Sequence, residues 1–204
     1  MFWLVVLAIL VFGLMATLSR GAMLAGGAGL GVLVFFLRKA MWPALVAATI
    51  AVLAFLAVLQ GSEAAAGIVE RGSTGRLEIY RWFLERVTMP EALVGKGMAT
   101  AVTISEEEFD WFVHHPHSSY LAQFLLTGVI GLAMMLAVIG WAGRETLAQA
   151  RHREVLWLAL LVGGSVAVLF DCAQVFSIYS APRIELLLIA VPAALVMGRA
   201  GGER

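Results

Sequence analysis

Long apolar runs separated by short polar segments dominate the chain. Six of them are predicted to be transmembrane helices: residues 2–18, 21–37, 43–59, 120–142, 155–179 and 184–198. At roughly 1.5 Å per residue, the shorter runs only just cross a hydrocarbon core of about 30 Å. Strands are excluded because these runs lack the alternating pattern of a membrane barrel. The pattern predicts an all-α, multipass integral membrane protein with about six transmembrane helices.

One long polar segment, residues 60–119, separates three predicted transmembrane helices in residues 1–59 from three in residues 120–204. Within it we predict an amphipathic helix over residues 76–87, with Thr74 as the N-cap. Its apolar arc, at 100° per residue, consists of Leu77, Ile79, Tyr80, Phe83, Leu84 and Val87. Such a helix should lie at the membrane surface, so we interpret the chain as a single membrane domain.

Composition agrees with this assignment. Of 204 residues, 61% are hydrophobic and 14% are charged, whereas a soluble domain has about 25% charged residues. Fourteen Lys and Arg residues balance fourteen Asp and Glu residues, which leaves no basic excess to neutralise nucleic acid. The single cysteine, Cys172, has no partner for an intrachain disulfide or a CxxC site. A soluble globule and a nucleic-acid-binding protein are therefore excluded.

Basic residues are distributed unevenly between the two sides of the predicted bundle. The short loops on one side contain Arg20 and Arg183. Those on the other side, with the C-terminal tail, contain Arg38, Lys39, Arg144, Arg151, Arg153, Arg199 and Arg204. The positive-inside rule places this larger set and both termini in the cytoplasm. Residues 60–119, which include three of the four histidines, are then external, and we expect any chemistry there.

Three charged residues have different expected surroundings. Arg81 can pair with Glu78 and Glu85 at helical spacing, which is typical of a solvated helix face. Arg76 projects from the apolar arc, where a cation is costly unless it snorkels or meets an anion, and both interpretations stay open. Asp171 is the only carboxylate well inside a predicted span, where acids usually face a cavity or a partner.

Three histidines precede the fourth predicted span, in the segment His114-His115-Pro116-His117. One interpretation is a metal site shared with Asp110 or with the acidic residues 106–108. A second is a proline turn with interfacial histidines, and a third is general-base catalysis, since an imidazole has an ordinary pKa of about 6.5. Histidines this close cannot all reach one ion without a special turn, and no HExxH or DxD motif is present. We therefore predict no metal site.

Several motifs occur in an order that resembles the O-antigen ligase and polymerase superfamily. They are Ser19-Arg20-Gly21, Gly75-Arg76-Leu77 with Trp82, Pro90 followed by Gly95-Lys96-Gly97, the segment from His115 to Leu121, and Gly128-Val129-Ile130-Gly131-Leu132. The resemblance covers roughly residues 18–132, with a weaker similarity at Phe170-Asp171 and Ser180-Ala181-Pro182. Ser118 stands where the family usually has Asn, which leaves the histidine in place but puts its supporting hydrogen bond in doubt.

The resemblance implies a glycosyltransferase of the bacterial cytoplasmic membrane that acts on the external, periplasmic side. Such an enzyme moves a glycan from an undecaprenyl diphosphate carrier to a hydroxyl of a glycan, lipid or protein acceptor, without a cofactor. His117 would lie near the attacking hydroxyl as the catalytic residue. The implied substrate-binding residues, with Arg20 and Arg76 as diphosphate contacts, are Arg20, Arg76, His115, Tyr120, Asp171 and Arg183.

Full-length relatives have about twice as many helices, so this chain resembles their C-terminal half and an N-terminal half is an expected partner. We expect the Gly/Ala-rich residues 21–31 to meet those further helices, because small residues permit close helix packing.

The chemistry of the residues is compatible with the implied reaction. A diphosphate leaving group is already a stable anion, so it needs charge stabilisation by guanidinium groups rather than a general acid. The chain contains just two Asp residues and no DxD motif, which fits a mechanism without metal. The alternative class is a non-catalytic membrane subunit that binds a lipid headgroup; it would use the same arginines but tolerate loss of His117. O-antigen ligase, O-antigen polymerase and protein O-oligosaccharyltransferase share these motifs.

Overall fold

The computed structural model describes residues 2–16, 19–59, 75–97, 103–105, 107–108, 113, 115–152, 154–170 and 184–202. Its helices are α1 (Phe2–Ala16), α2 (Arg20–Leu59), α3 (Arg76–Glu85), α4 (Met89–Val94), α5 (Ser119–Arg151), α6 (Leu156–Phe170) and α7 (Ile184–Gly202). The only other regular feature in these ranges is an antiparallel bridge between Ile104 and Val113. The all-α prediction is confirmed for the described part of the chain.

Two described segments are long and apolar enough to cross a membrane, Arg20–Leu37 and Ser119–Arg151. Shorter apolar helices are Leu156–Phe170 and Leu186–Gly198. The last nine residues of the predicted fifth span, 171–179, lie outside the described residues. Six membrane crossings therefore stay a prediction.

The expected break between the second and third predicted spans is not a break in the backbone. Helix α2 runs continuously for 40 residues, about 60 Å, with Pro43 inside it. A proline in a helix interior costs about 3 kcal/mol, but it removes only one backbone hydrogen bond. A non-helical segment in an apolar environment would leave several backbone groups without partners, which is more costly. The described residues between 2 and 59 thus form two helices, α1 and α2.

Small residues hold α2 against α6 in an antiparallel pair. A Cβ atom added at Gly29 would lie 3.0 Å from the Ala159 carbonyl oxygen, and one at Gly163 would lie 3.2 Å from the Ala25 carbonyl oxygen. Such close backbone approach needs small side chains. The expectation that residues 21–31 are reserved for helices outside this chain is therefore wrong for the face that contains Ala25 and Gly29, because α6 already covers it.

The helix contacts define two ends of the bundle. At one end Gly21, in the first turn of α2, abuts Phe170, the last residue of α6. At the other end Ala150, Val155 and Leu158 pack with a group of partly buried residues: Val32, Leu33, Phe36, Leu37 and Val162. The exposed residues Arg144 and Arg151, from the larger basic set, lie toward this second end.

Helix α5 is interrupted at Gly128, where φ is 66° and ψ is −168°. In a regular helix the carbonyl groups of Leu125 and Leu126 would accept hydrogen bonds from the N–H groups four residues later. Here they accept the N–H groups of Lys96 and Gly97, each at 2.9 Å. The segment after α4 therefore replaces the missing helical donors and is anchored to the first two turns of α5.

Candidate functional site

Helix α3 lies within the predicted range 76–87 and ends at Glu85. Its N-cap is Gly75 at φ 69°, with no side-chain cap hydrogen bond, so the prediction of Thr74 as N-cap is wrong. A left-handed conformation suits glycine, which has no Cβ atom, and Gly75 adopts it at the start of the helix. Thr74 itself lies outside the described residues.

The apolar arc of α3 divides into two parts. Ile79 and Phe83 are 2% and 4% exposed. They pack in one cluster with Ile104, Val113, Leu125 and Leu126. Leu77 and Leu84, from the same predicted arc, are 68% and 51% exposed. Most of the arc thus attaches α3 to α5 and the bridge, whereas Leu77 and Leu84 face away from the described protein.

The two arginines of α3 have different surroundings. Arg81 donates through Nε to Glu85 Oε1 at 2.6 Å, and this hydrogen bond raises the pKa of Arg81. Arg76 is half-buried and makes no ion pair or side-chain hydrogen bond with any residue that the structure describes. A half-buried guanidinium is costly unless it meets an anion, so Arg76 is a candidate for binding an anionic ligand.

His117 adopts a left-handed backbone conformation, with φ 53°. Its N–H donates to Nδ1 of His115 at 3.1 Å, and its carbonyl oxygen accepts the Tyr80 hydroxyl at 3.4 Å. The centroids of the two imidazole rings are 4.3 Å apart. Tyr80 is one helical turn from Arg76 on α3, so the hydroxyl contact ties the helix that carries Arg76 to the backbone of His117.

The residues after His117 begin α5. Ser118 is buried and is the N-cap, with its hydroxyl accepting the Leu121 N–H at 3.4 Å. The serine therefore supplies a hydrogen bond to the helix start. The Tyr120 hydroxyl donates to the Ser165 carbonyl oxygen of α6 at 3.0 Å, so this predicted substrate-binding residue links α5 to α6.

One of the remaining predicted site residues, Arg20, lies toward the end of the bundle where Gly21 abuts Phe170, and the other two lie outside the described ranges. Arg20 is exposed at the start of α2, where the Ser19 hydroxyl accepts the Ala22 N–H at 3.3 Å. The neighbouring Gly21 abuts Phe170, five residues from the Ser165 contact of Tyr120, or about 7.5 Å along α6. The other two predicted site residues, Asp171 and Arg183, lie outside the described residues.

Trp82, Arg86 and Glu108 form a polar cluster to which the sequence analysis assigned no role. Glu108 Oε2 accepts Trp82 Nε1 at 2.6 Å and Arg86 at 3.2 Å, while the Arg86 guanidinium lies 4.2 Å from the centre of the Trp82 ring. The cluster fastens the exposed side of α3 to residues 107–108. Because Glu108 follows Trp82 by 26 residues, no local spacing signals the contact.

The described residues contain no group of three His, Cys, Asp or Glu side chains that could hold a metal ion. Of the residues in the metal interpretation, Glu106, Asp110 and His114 lie outside them.

A family model described as O-antigen ligase matches residues 5–136. The chain belongs to this O-antigen ligase family. The match contains Arg20, Arg76, His115, His117 and Tyr120, but it ends before Asp171 and Arg183. No curated protein and no solved structure matches the chain.

Two motifs behind the resemblance to O-antigen ligases, Gly95-Lys96-Gly97 and the segment that begins at Gly128, contact each other. A Cβ atom at Gly95 would collide with the backbone of Leu126. One at Gly128 would collide with the backbone of Leu93. Both glycines have positive φ, so the pair forms a glycine interlock between the α4 segment and the break in α5.

Proposed function

We propose that this chain is an O-antigen ligase-like glycosyltransferase that moves a glycan from an undecaprenyl diphosphate carrier to an acceptor hydroxyl in surface polysaccharide assembly. Membership of the O-antigen ligase family supports the reaction class. The observation that carries the proposal is the link from Arg76, half-buried and without an ion pair among the described residues, through Tyr80 to His117. The Tyr80 contact supports the proposal because it joins the helix that carries Arg76 to the backbone of His117.

In this proposal Arg76 and Arg20 bind the diphosphate, and Asp171 and Arg183 contact other parts of the substrates. A guanidinium group presents paired donors and a permanent charge to phosphate oxygens, which stabilises the leaving group as negative charge moves onto it. The exposed Leu77 and Leu84 lie on the same helix and provide an apolar surface for the interface where a polyprenyl chain would lie.

His117 acts as the general base for the acceptor. It takes the proton from the acceptor hydroxyl as that oxygen attacks the anomeric carbon of the glycan. The new bond joins the acceptor oxygen to the anomeric carbon, and the bond from that carbon to the diphosphate oxygen breaks with its electron pair. The products are the glycosylated acceptor and undecaprenyl diphosphate, with the proton on the imidazole.

The site faces the periplasm, and the chain is a multipass protein of the bacterial cytoplasmic membrane. The charge bias of the short loops supports this orientation. So does the position of Arg144 and Arg151, which lie toward the end of the bundle away from Tyr120. An external enzyme has no ready supply of cytoplasmic nucleotide sugars, which fits a lipid-linked donor.

The test measures glycan transfer in membranes that contain the chain, using the lipid-linked glycan and acceptor extracted from the source bacterium. Arg76→Ala and His117→Ala should abolish transfer at unchanged expression. Arg76→Lys should also fail because an ammonium group cannot reproduce the forked contact. Arg81→Ala is the matched control and should retain transfer, since Arg81 is exposed and paired with Glu85.

Retained transfer in His117→Ala would favour the non-catalytic subunit that binds a lipid headgroup. Transfer to repeat units, to a lipid core or to protein would distinguish the polymerase, ligase and protein O-oligosaccharyltransferase activities. If the unaided chain is inactive, coexpression with the N-terminal helices of a longer relative should restore transfer.

A further inference from the structure

The backbone of His117 is held on both sides by side chains. Its N–H group donates to His115 Nδ1 at 3.1 Å, and its carbonyl group accepts the Tyr80 hydroxyl at 3.4 Å. The residue between these two contacts has φ 53°, a conformation that non-glycine residues rarely adopt and that persists only when the surroundings impose it. Together the two hydrogen bonds orient the peptide groups on either side of the His117 Cα atom.

The contact with His115 fixes the protonation of that ring. A backbone N–H can only donate, so Nδ1 of His115 must be an unprotonated acceptor. The ring proton then lies on Nε2, and the ring is the neutral Nε2–H tautomer. Protonation of Nδ1 would replace the acceptor with a second donor and break the contact with the His117 N–H group.

We propose that His115 and Tyr80 are positioning residues that hold the His117 imidazole toward the acceptor hydroxyl, and that His115 acts through Nδ1 rather than by touching substrate. This inference rests on the proposed function of His117. It assigns Tyr80 a role that its place in the apolar arc of α3 does not indicate. It also changes the expected role of His115 from substrate contact to support of its neighbour.

The kinetic test compares two amide replacements of His115 in the full chain, with the extracted lipid-linked glycan as donor. Asparagine places an oxygen near the position of Nδ1, whereas glutamine places its terminal atoms near Nε2. His115→Asn should retain transfer within about threefold. His115→Gln and Tyr80→Phe should each lower kcat by about tenfold or more, with the donor KM unchanged, because a misplaced base slows chemistry without weakening donor binding.

The matched control is His152, an exposed histidine at the C-terminal end of α5, on the far side of the bundle. His152→Asn and His152→Gln should both behave as the unsubstituted chain. Retention of transfer by His115→Gln together with its loss in His115→Asn would overturn the inference, because that result indicates a substrate contact through Nε2. A rise in donor KM in either His115 variant would also overturn it.

A spectroscopic measurement tests the same geometry without activity. In the full chain labelled with ¹⁵N-histidine, His115 should show an unprotonated Nδ1 and a protonated Nε2, and Tyr80→Phe should speed exchange of the His117 amide proton. A protonated Nδ1, or unchanged exchange in Tyr80→Phe, contradicts the inference. Absence of transfer by the unsubstituted chain, both alone and coexpressed with the N-terminal helices of a longer relative, contradicts the proposed function instead, so the two failures are distinguishable.

Discussion

Gly128→Ala tests the glycine interlock, the contact between the α4 segment and the break in α5. The added methyl group would collide with the Leu93 carbonyl group and the Val94 nitrogen. The backbone at position 128, with φ 66° and ψ −168°, belongs to a region that is accessible essentially to glycine alone. The chain cannot relieve both problems without moving residues 93–97 away from α5.

The cost follows from two contributions. A non-glycine residue in this backbone conformation costs about 1–3 kcal/mol. Moving the α4 segment away breaks the hydrogen bonds from Lys96 and Gly97 to the Leu125 and Leu126 carbonyl oxygens, and each such bond contributes about 0.5–1.5 kcal/mol. We therefore expect Gly128→Ala to lower the free energy of unfolding by about 2–6 kcal/mol.

The measurement is the thermal unfolding midpoint of the purified chain in mild detergent, followed by intrinsic tryptophan fluorescence. The matched control is Gly140→Ala on the same helix, because a Cβ atom there meets nothing within 4 Å. Alanine at a regular helical site is favoured over glycine by about 0.5–1 kcal/mol, so the control midpoint should stay or rise. Gly95→Ala should resemble Gly128→Ala, and the two losses should not add because both break the same contact. Equal midpoints for Gly128→Ala and Gly140→Ala would refute the interlock.

Two further predictions concern the start of α4 and the orientation of the chain. The Thr88 N–H donates to Glu91 Oε2 at 2.9 Å, which lowers the pKa of Glu91. The ionised Glu91 carboxylate therefore stabilises the start of α4 above the unfolded glutamate pKa of about 4.3, and this effect is lost as the pH falls through the lower pKa of the folded state. Exchange of the Thr88 amide proton should rise in acid in the unsubstituted chain but not in Glu91→Gln. In a Cys172→Ser background, an impermeant thiol reagent added to intact cells should label Glu107→Cys and not Ala148→Cys, both at exposed positions; labelling of Ala148→Cys alone would reverse the proposed topology.

Local patterns in the sequence were sufficient to predict some of these features. The 100° periodicity located α3, and helical spacing identified the ion pair between Arg81 and Glu85. These properties depend on residues within one or two turns of each other, so they survive without knowledge of the fold. The order of motifs also predicted the family, which the match over residues 5–136 confirmed.

Other features depend on contacts that no local pattern records. The Tyr80 hydroxyl reaches a carbonyl group 37 residues away, and periodicity alone identifies Tyr80 only as part of an apolar arc. The arc itself predicts which side chains are apolar, but the fold decides that Phe83 is buried while Leu84 is exposed. The break at Gly128 is stable because a distant segment supplies two backbone donors, which the sequence of α5 does not contain.

In the proposed reaction, glycan transfer and release of the carrier are one step that needs His117. The most direct measurement follows undecaprenyl diphosphate and glycosylated acceptor together in membranes supplied with the lipid-linked glycan. We expect one undecaprenyl diphosphate released for each glycan transferred, with both products lost in His117→Ala and both retained in Arg81→Ala. Transfer and release that persist in His117→Ala, or release of the carrier as a monophosphate, would contradict the proposed reaction.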